Sequence, residues 1–199
     1  IMNISIIQYN AGNIQSVLYA LERLGATATV TDDPAIIHAS DKVIFPGVGE
    51  ASTAMAYLKE RNLDQLIVTL TQPVLGICLG MQLMCQHSAE NDTNCLGIFE
   101  EQVLAFKATE MIQKVPQIGW NNIMNLKTDL FKAVPENSFA YFVHGFYAGL
   151  GDNTIATTDY IQAYSSGLHK DNFYGVQFHP EKSAEVGEQI IQNFLALKS

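Results

Sequence analysis

Two short segments, far apart in the chain, hold side chains that could do chemistry together. Gly76-Ile77-Cys78-Leu79-Gly80 sets a thiol between two glycines, after the apolar run Pro73-Val74-Leu75 and before the helix-forming Met81-Gln82-Leu83-Met84. This is a cysteine form of the nucleophile elbow, in which a sharp strand-to-helix turn strains the central residue and flanking glycines let neighbouring chain pass close. The thiol is expected to project from the carboxyl edge of a sheet at a helix N-terminus, where the dipole favours an anion. Such a position, with an imidazolium nearby, can draw a thiol from pKa ~8.5 toward 3.5–7.5, making it mostly thiolate at neutral pH.

The thiol needs a base, and the histidines stand at 38, 87, 144, 169 and 179. Only His179 follows a strong strand pattern, Tyr174-Gly175-Val176-Gln177-Phe178, and has an acid two positions on, in His179-Pro180-Glu181. Pro180 fixes a rigid corner, so Glu181 can turn back beside the imidazole, choose its tautomer and stabilise its charged form. Cys78, His179 and Glu181 then make a nucleophile, base and orienting acid. Each segment alone has an ordinary structural explanation. Together they sit at the ends of two predicted parallel strands, and the carboxyl ends of strands are where such sheets build sites. His144, in Tyr141-Phe142-Val143-His144-Gly145, ends another strand running into glycine and is a candidate for the same rim. His38 and His169 read as surface residues, His87 as a dipole partner at the end of the elbow helix, and Cys85 and Cys95 as small buried hydrophobes.

The elements that must carry these residues are legible as an alternation. Ile4-Ser5-Ile6-Ile7 reads as a strand, Asn10-Ala11-Gly12-Asn13 as a turn, and Ile14, Val17, Leu18, Leu21 and Leu24 as a helix closed by Gly25. Ala28 to Thr31 and Lys42 to Phe45 are further strands around a short helix opened by Asp33-Pro34. Helical periodicity resumes through Met55, Leu58, Leu63, Leu66, Ile67 and Leu70, ahead of a run from Pro73 to Ile77 that is apolar on both faces, as in a buried parallel strand. The prediction is an α/β fold with a doubly wound, mostly parallel sheet and flanking helices. A β-rich C-terminal half follows, with strands over Gln102–Phe106, Gly119–Met124, Phe139–Val143, Thr154–Thr158 and Phe173–Phe178. An amphipathic helix over Glu185–Leu197 closes the chain, its face made by Val186, Ile190, Asn193, Phe194 and Leu197.

Composition narrows the classes of function. The 199 residues, 48% hydrophobic and 16% charged, suit one compact domain over 1–199 without a break that would mark a linker. Eleven basic against twenty acidic residues give a net charge of −9, and only Arg23 and Arg61 are arginines, so no basic stripe exists for a nucleic acid. No apolar run approaches the ~20 residues that span a bilayer, so no membrane partner is expected. The segment Ile1 to Ser5 lacks a secretory-signal pattern, and three cysteines at unhelpful spacings fit neither a disulfide framework nor a zinc site. A reducing cytoplasm is the expected compartment, with no metal and no cofactor.

The motifs as a set resemble the class I (triad-type) glutamine amidotransferases, and within them the glutaminase subunits that serve imidazole glycerol phosphate synthesis in histidine biosynthesis. The carrying segments are Pro46-Gly47-Val48-Gly49, Pro73 to Leu83, Gly119-Trp120-Asn121, Tyr141 to His144, and Gly175 to Ser183. The resemblance implies that Cys78 attacks the side-chain amide of glutamine, that His179 acts as base and then as acid to the leaving ammonia, and that water releases glutamate from a thioester. It implies an oxyanion hole from backbone N–H groups at Leu79 and around Val48, each worth on the order of 3–4 kcal/mol. It also implies glutamine contacts at Gly49, Gln82 and Glu90 and at the backbone of Gly145 and Phe146. The ammonia is implied to pass to a separate (β/α)₈-barrel cyclase in a heterodimer, with Asn13, Trp120, Tyr141 and Lys182 near that interface. A covered route is chemically necessary, because free ammonia at neutral pH becomes ammonium.

The chain departs from the family pattern at Gln8-Tyr9-Asn10, at Gln117, where histidine is usual, and at Gly145-Phe146. None of these touches the triad. Other readings are an amidotransferase for anthranilate, aminodeoxychorismate or surface-sugar amidation, a catalytically silent regulatory protein, and a cysteine peptidase, which would need an open peptide groove.

Overall fold

A computed structural model of the chain describes residues 1–9, 13–108 and 114–198. Positions 10–12 of the expected turn, including the departure at Asn10, lie outside the described residues. The first half alternates as the periodicity predicts: β1 (Ile4–Ile7), α1 (Ile14–Arg23), β2 (Ala28–Thr31), α2 (Pro34–Ala39), β3 (Lys42–Phe45), α3 (Ala51–Glu60), α4 (Leu63–Ile67), β4 (Val74–Ile77) and α5 (Leu79–Leu83). Strands follow: β5 (His87–Ser88), β6 (Thr93–Asn94), β7 (Gln102–Ala105), β8 (Gln117–Ile123), β9 (Ser138–His144), β10 (Phe146–Ala148), β11 (Thr154–Tyr160), β12 (Gln162–Lys170) and β13 (Phe173–Val176). The helix α6 (Ala184–Ala196) closes the chain.

The main sheet runs β2-β1-β3-β4-β13-β12-β10-β7-β5-β6, with β11 added to β12, and β8 and β9 pair apart from it. Pairing is parallel from β2 through to β13 and mostly antiparallel beyond. Strand alternation divides the core into two layers. Ile6, Ile44, Leu75 and Ile77 pack with Val17 and Leu21 of α1 and Ile190 and Phe194 of α6. Ile7, Val43, Phe45 and Val74 pack with Ile37 of α2, Met55 and Leu58 of α3, Leu63 and Ile67 of α4 and Leu83 of α5. Successive side chains of a strand point to opposite faces, so short strands that are apolar throughout demand helices on both.

Three local expectations need correction. The helical stretch from Met55 to Leu70 is two helices, because Asn62 adopts the left-handed conformation (φ 56°) and ends the first, a conformation that asparagine tolerates better than most residues. His87 is no dipole partner of the elbow helix: that helix stops at Leu83, and His87 opens β5, its Nε2 2.8 Å from Asp92 Oδ1. Strand β12, the longest of the described strands, was not expected, because Gln162-Ala-Tyr-Ser-Ser-Gly-Leu-His-Lys170 lacks apolar alternation. Its buried run from Tyr164 to Leu168 is interrupted by small residues, and at Gly167 space is short: a Cβ there would stand 3.1 Å from Ala156 Cβ and 3.2 Å from Ile155 Cγ1.

Candidate active site

Cys78 sits at the β4–α5 junction with φ 52° and ψ −110°, a conformation that costs a non-glycine residue about 1–3 kcal/mol. The neighbours hold it there. Its N–H donates to Val176 O at 2.8 Å. Gly80 lies against β3 so closely that a Cβ would fall 1.9 Å from Phe45 O, and one on Gly76 would meet Met84 Cε at 2.4 Å and Met81 N at 2.8 Å. The two glycines thus permit the crossing that the elbow requires.

The second segment arrives because β13 pairs in parallel beside β4, with Val176 opposite Ile77. Gln177 is therefore the register neighbour of Cys78, and His179 follows two residues on. Pro180–Lys182 forms one 3-10 turn, and Glu181 returns to place Oε1 2.7 Å from His179 Nδ1, both side chains almost wholly buried. The turn is tied to β9: His179 N donates to Tyr141 O (2.9 Å), Ser183 Oγ to His179 O (2.6 Å) and Tyr141 N to Ser183 Oγ (3.0 Å). Burial opposes a charge on the His179 ring, but the negative charge that Cys78 can carry and the Glu181 carboxylate outweigh it and push the pKa up to about 10. Nε2 is buried without a geometrically formed hydrogen bond, and the charge of Cys78 together with its capacity to accept a hydrogen bond favours the protonated ring.

The thiol opens on a cavity of about 270 Å³ lined by Val48, Gly49, Cys78, Leu79, Gln82, Glu90, Pro116, Val143, His144, Gly145 and Phe146. This lies just below the ~300–1,000 Å³ of drug-sized sites, a size for a single amino acid rather than a peptide. Gln82 Nε2 donates to Phe146 O (2.9 Å) and to Gln177 Oε1 (2.8 Å). Glu90 accepts from Ala51 N (2.9 Å), and its burial raises its pKa against that bond. Gly49 holds φ 140°, open only to glycine at low cost. The Leu79 N–H donates to Gly47 O at 3.3 Å, so in this structure a main-chain carbonyl occupies one of the two expected oxyanion donors.

His144 joins this wall. Its Nδ1 lies 2.7 Å from Phe146 O and its Nε2 2.9 Å from Gln117 Oε1, with the Tyr164 hydroxyl 3.3 Å away. Burial, partly offset by the Phe146 carbonyl, lowers its pKa from 6.5 to about 4, so it is neutral at pH 7. The unfolded chain takes up that proton near 6.5 and the folded chain only near 4; stability is therefore full above 6.5 and falls as the pH drops through this window, by up to about 3 kcal/mol. Urea midpoints between pH 7 and 4.5 are expected to fall more steeply for the parent than for His144→Gln. Parallel curves would contradict this.

The residues expected near an interface lie outside the cavity. Trp120 is half exposed, its ring 5.8 Å from Tyr141 across the β8–β9 pair, and Lys182 is exposed on the turn after His179. Ile118 and Phe139 expose more than half their surface on the same pair. Asn13 precedes α1 in the left-handed conformation, its Oδ1 accepting from Ser16 Oγ. Of the expected histidines, His38 is exposed and His169 is half-buried, stacked on Tyr174. Cys85 is buried and Cys95 half-buried, its thiol pushed up to about 11, chiefly by burial. Three contributors went unread in the sequence: Pro116, the Val143 carbonyl 3.7 Å from Cys78 Sγ, and Gln177, whose Nε2 is 3.6 Å from that sulfur. Gln177 alone carried a signal, its place within the strand expected over Phe173–Phe178 beside the elbow; the observed β13 ends one residue before it.

Comparison with known proteins fits this arrangement. The family pattern "Glutamine amidotransferase class-I" matches residues 5–197, and the chain belongs to that family. Within it, the chain is 57% identical over 196 residues to imidazole glycerol phosphate synthase subunit HisH of Bacteroides fragilis, covering 98% of this chain and 100% of the relative. It is 54% identical over 196 residues to the protein of the same name from Bacteroides thetaiotaomicron, with the same coverage. Among solved structures, a glutamine amidotransferase from Thermotoga maritima shares the fold at TM-score 0.63 and 19% identity, over 98% of this chain and 83% of that one. No helix among the described residues is long and apolar enough to cross a membrane.

Proposed function

We propose that this chain is the glutaminase subunit of an imidazole glycerol phosphate synthase in histidine biosynthesis. It hydrolyses glutamine to glutamate and ammonia and passes the ammonia to a (β/α)₈-barrel cyclase with which it forms a heterodimer. The observation that carries the chemistry is the junction of β4 and β13: a strained cysteine and a buried His179–Glu181 pair open on one small cavity. Full-length similarity to the HisH subunits carries the pathway.

In this reading the thiol proton moves to His179 Nε2, where the flanking anions hold it, and Cys78 attacks the glutamine side-chain carbonyl. The C–N bond breaks as His179 returns the proton to the departing nitrogen, giving ammonia and a glutamyl thioester. Water, deprotonated by His179, then releases glutamate. Glu181 keeps Nδ1 protonated and the ring in place. Gln82 and Glu90 hold the amino-acid end with Gly49 and the backbone of Gly145 and Phe146, while N–H groups at Leu79 and Val48 receive the oxyanion. The Leu79–Gly47 hydrogen bond must open first, and the glycines on either side of Val48 make that peptide inexpensive to turn. The cyclase is placed on the β8–β9 face, with Trp120, Tyr141, Lys182 and Asn13 near it; Tyr141 is bonded to the His179 backbone, so contact there reaches the site.

The test is to incubate the chain with glutamine alone, with the cyclase, and with the cyclase and its nucleotide substrate. Glutamate release is expected to be nearly silent alone and to rise at least about tenfold with the partner, the gain that one freed oxyanion donor supports. Equal rates throughout would remove the activation, and no release under any condition would remove the glutaminase.

A further inference from the structure

The sulfur of Cys78 has a neighbour that the triad does not explain. Gln177 is fully buried, and its Nε2 lies 3.6 Å from Cys78 Sγ. The direction of this contact follows from its surroundings. Phe146 O is a main-chain carbonyl and can only accept, so the Gln82 atom 2.9 Å from it is the NH₂ nitrogen. That same nitrogen is 2.8 Å from the Gln177 amide, so the Gln177 atom there must be the carbonyl oxygen. Only the Gln177 NH₂ is then left to face the sulfur. One carbonyl thus orients every group in the row Phe146, Gln82, Gln177, Cys78. The main chain holds the row in place, since Cys78 N donates to Val176 O (2.8 Å) and Gln177 N to Ser166 O (3.0 Å).

The other side of the sulfur shows why a donor matters. Cys78 Sγ lies 3.7 Å from Val143 O. As a thiol it donates its proton to that carbonyl; once the proton is on His179, two electron-rich atoms confront each other. The imidazolium supplies charge on one side, and a neutral N–H is needed to hold the sulfur against the carbonyl.

We infer that Gln177 is a catalytic residue, donating its side-chain N–H to the Cys78 thiolate and coupling that sulfur through Gln82 to the wall that holds glutamine. The inference rests on Cys78 being the nucleophile proposed above. The bond is strongest when the sulfur is charged: before attack, and when thioester hydrolysis breaks the S–C bond and its electron pair returns to sulfur. In the thioester the sulfur is a weak acceptor, and the bond loosens.

The test measures alkylation of Cys78 by a haloacetamide as a function of pH in the full chain, read by peptide mass so that Cys85 and Cys95 are counted separately. Glutamate release with the partner is measured alongside. Gln177→Met keeps the length without a donor, Gln177→Asn withdraws the amide by one methylene, and Gln177→Glu keeps the shape but replaces the donor with a negative acceptor. The alkylation midpoint is expected to rise by roughly one pH unit in the Met and Asn variants and further in the Glu variant, the size of one charge-assisted hydrogen bond. The kcat for glutamate release is expected to fall at least about tenfold with a smaller change in KM. A folded Met or Asn variant whose alkylation profile overlays the parent overturns the inference, even if the Glu variant shifts, because the shift then belongs to the introduced charge. If alkylating Cys78 in the parent leaves glutamate release intact, the nucleophile reading itself fails, and with it this one.

Discussion

Cys78→Ala is expected to abolish partner-supported glutamate release, by on the order of 10⁴-fold or more, the scale on which enzymes lose rate when a covalent nucleophile is removed. The fold should tolerate the change. Alanine keeps a Cβ and so the same strained backbone (φ 52°, ψ −110°), and the Val176 hydrogen bond that pins the residue is main-chain. Only the sulfur is lost; it sits at the edge of one core layer and also lines the cavity, so its removal leaves no closed void. The β8–β9 face with Trp120 and Tyr141 is left unaltered. The complex should therefore still assemble and make product from added ammonia at about the parental rate. Loss of ammonia-dependent synthesis as well would contradict the proposed division between a glutaminase chain and a separate cyclase, whereas residual glutamate release near the parental level would remove the triad.

The second large effect is on stability. Gly80 lies in the short helix α5, and helix propensity alone would have Gly80→Ala stabilise the protein by about 1 kcal/mol. Packing reverses the sign. The new methyl would stand 1.9 Å from Phe45 O, 2.8 Å from Phe45 C and 3.1 Å from Pro46 O. These are main-chain atoms at the end of β3, itself hydrogen-bonded between β1 and β4. No rotamer can relieve the clash, so the elbow and the 45–49 segment must separate, at a cost of about 3 kcal/mol or more. The urea midpoint should fall accordingly. Glutamate release should fall with it even under folding conditions, since Val48, Gly49 and Leu79 line the same cavity. A midpoint equal to or above the parent would show that the approach of these two segments is not tight. Gly25→Ala is a useful contrast: its φ of 73° suits glycine but nothing lies within 4 Å, so its loss should be only about 1 kcal/mol.

Much of this was readable in the chain. Strands β1, β3 and β4 announce themselves because their apolar residues fall on both faces, the mark of a sheet covered by helices on both sides, and the helices between them carry their own turn and cap residues. Gly76, Cys78 and Gly80 are one local event, a turn whose requirements fall within five consecutive positions. The pair His179 and Glu181 is likewise local, closed by one proline. Strand β12 escaped because its buried run, Tyr164 to Leu168, centres on Ser165-Ser166-Gly167, with β11 close against Gly167, so no apolar period marks it. The helix break at Asn62 escaped because apolar spacing runs on past a left-handed residue that no pattern of hydrophobicity records.

Residue types and their local spacing thus set the strands, the elbow and the acid-base pair, since each depends on neighbours within a few positions. Which strand lies beside β4, and hence that Gln177 meets the sulfur, that Val143 turns its carbonyl toward it, and that Gly47 occupies the Leu79 N–H, was decided only when distant segments packed together. The reason is that hydrogen-bond direction and register depend on where a partner's main chain happens to stand, and that is a property of the assembled sheet, written in no single stretch of the chain.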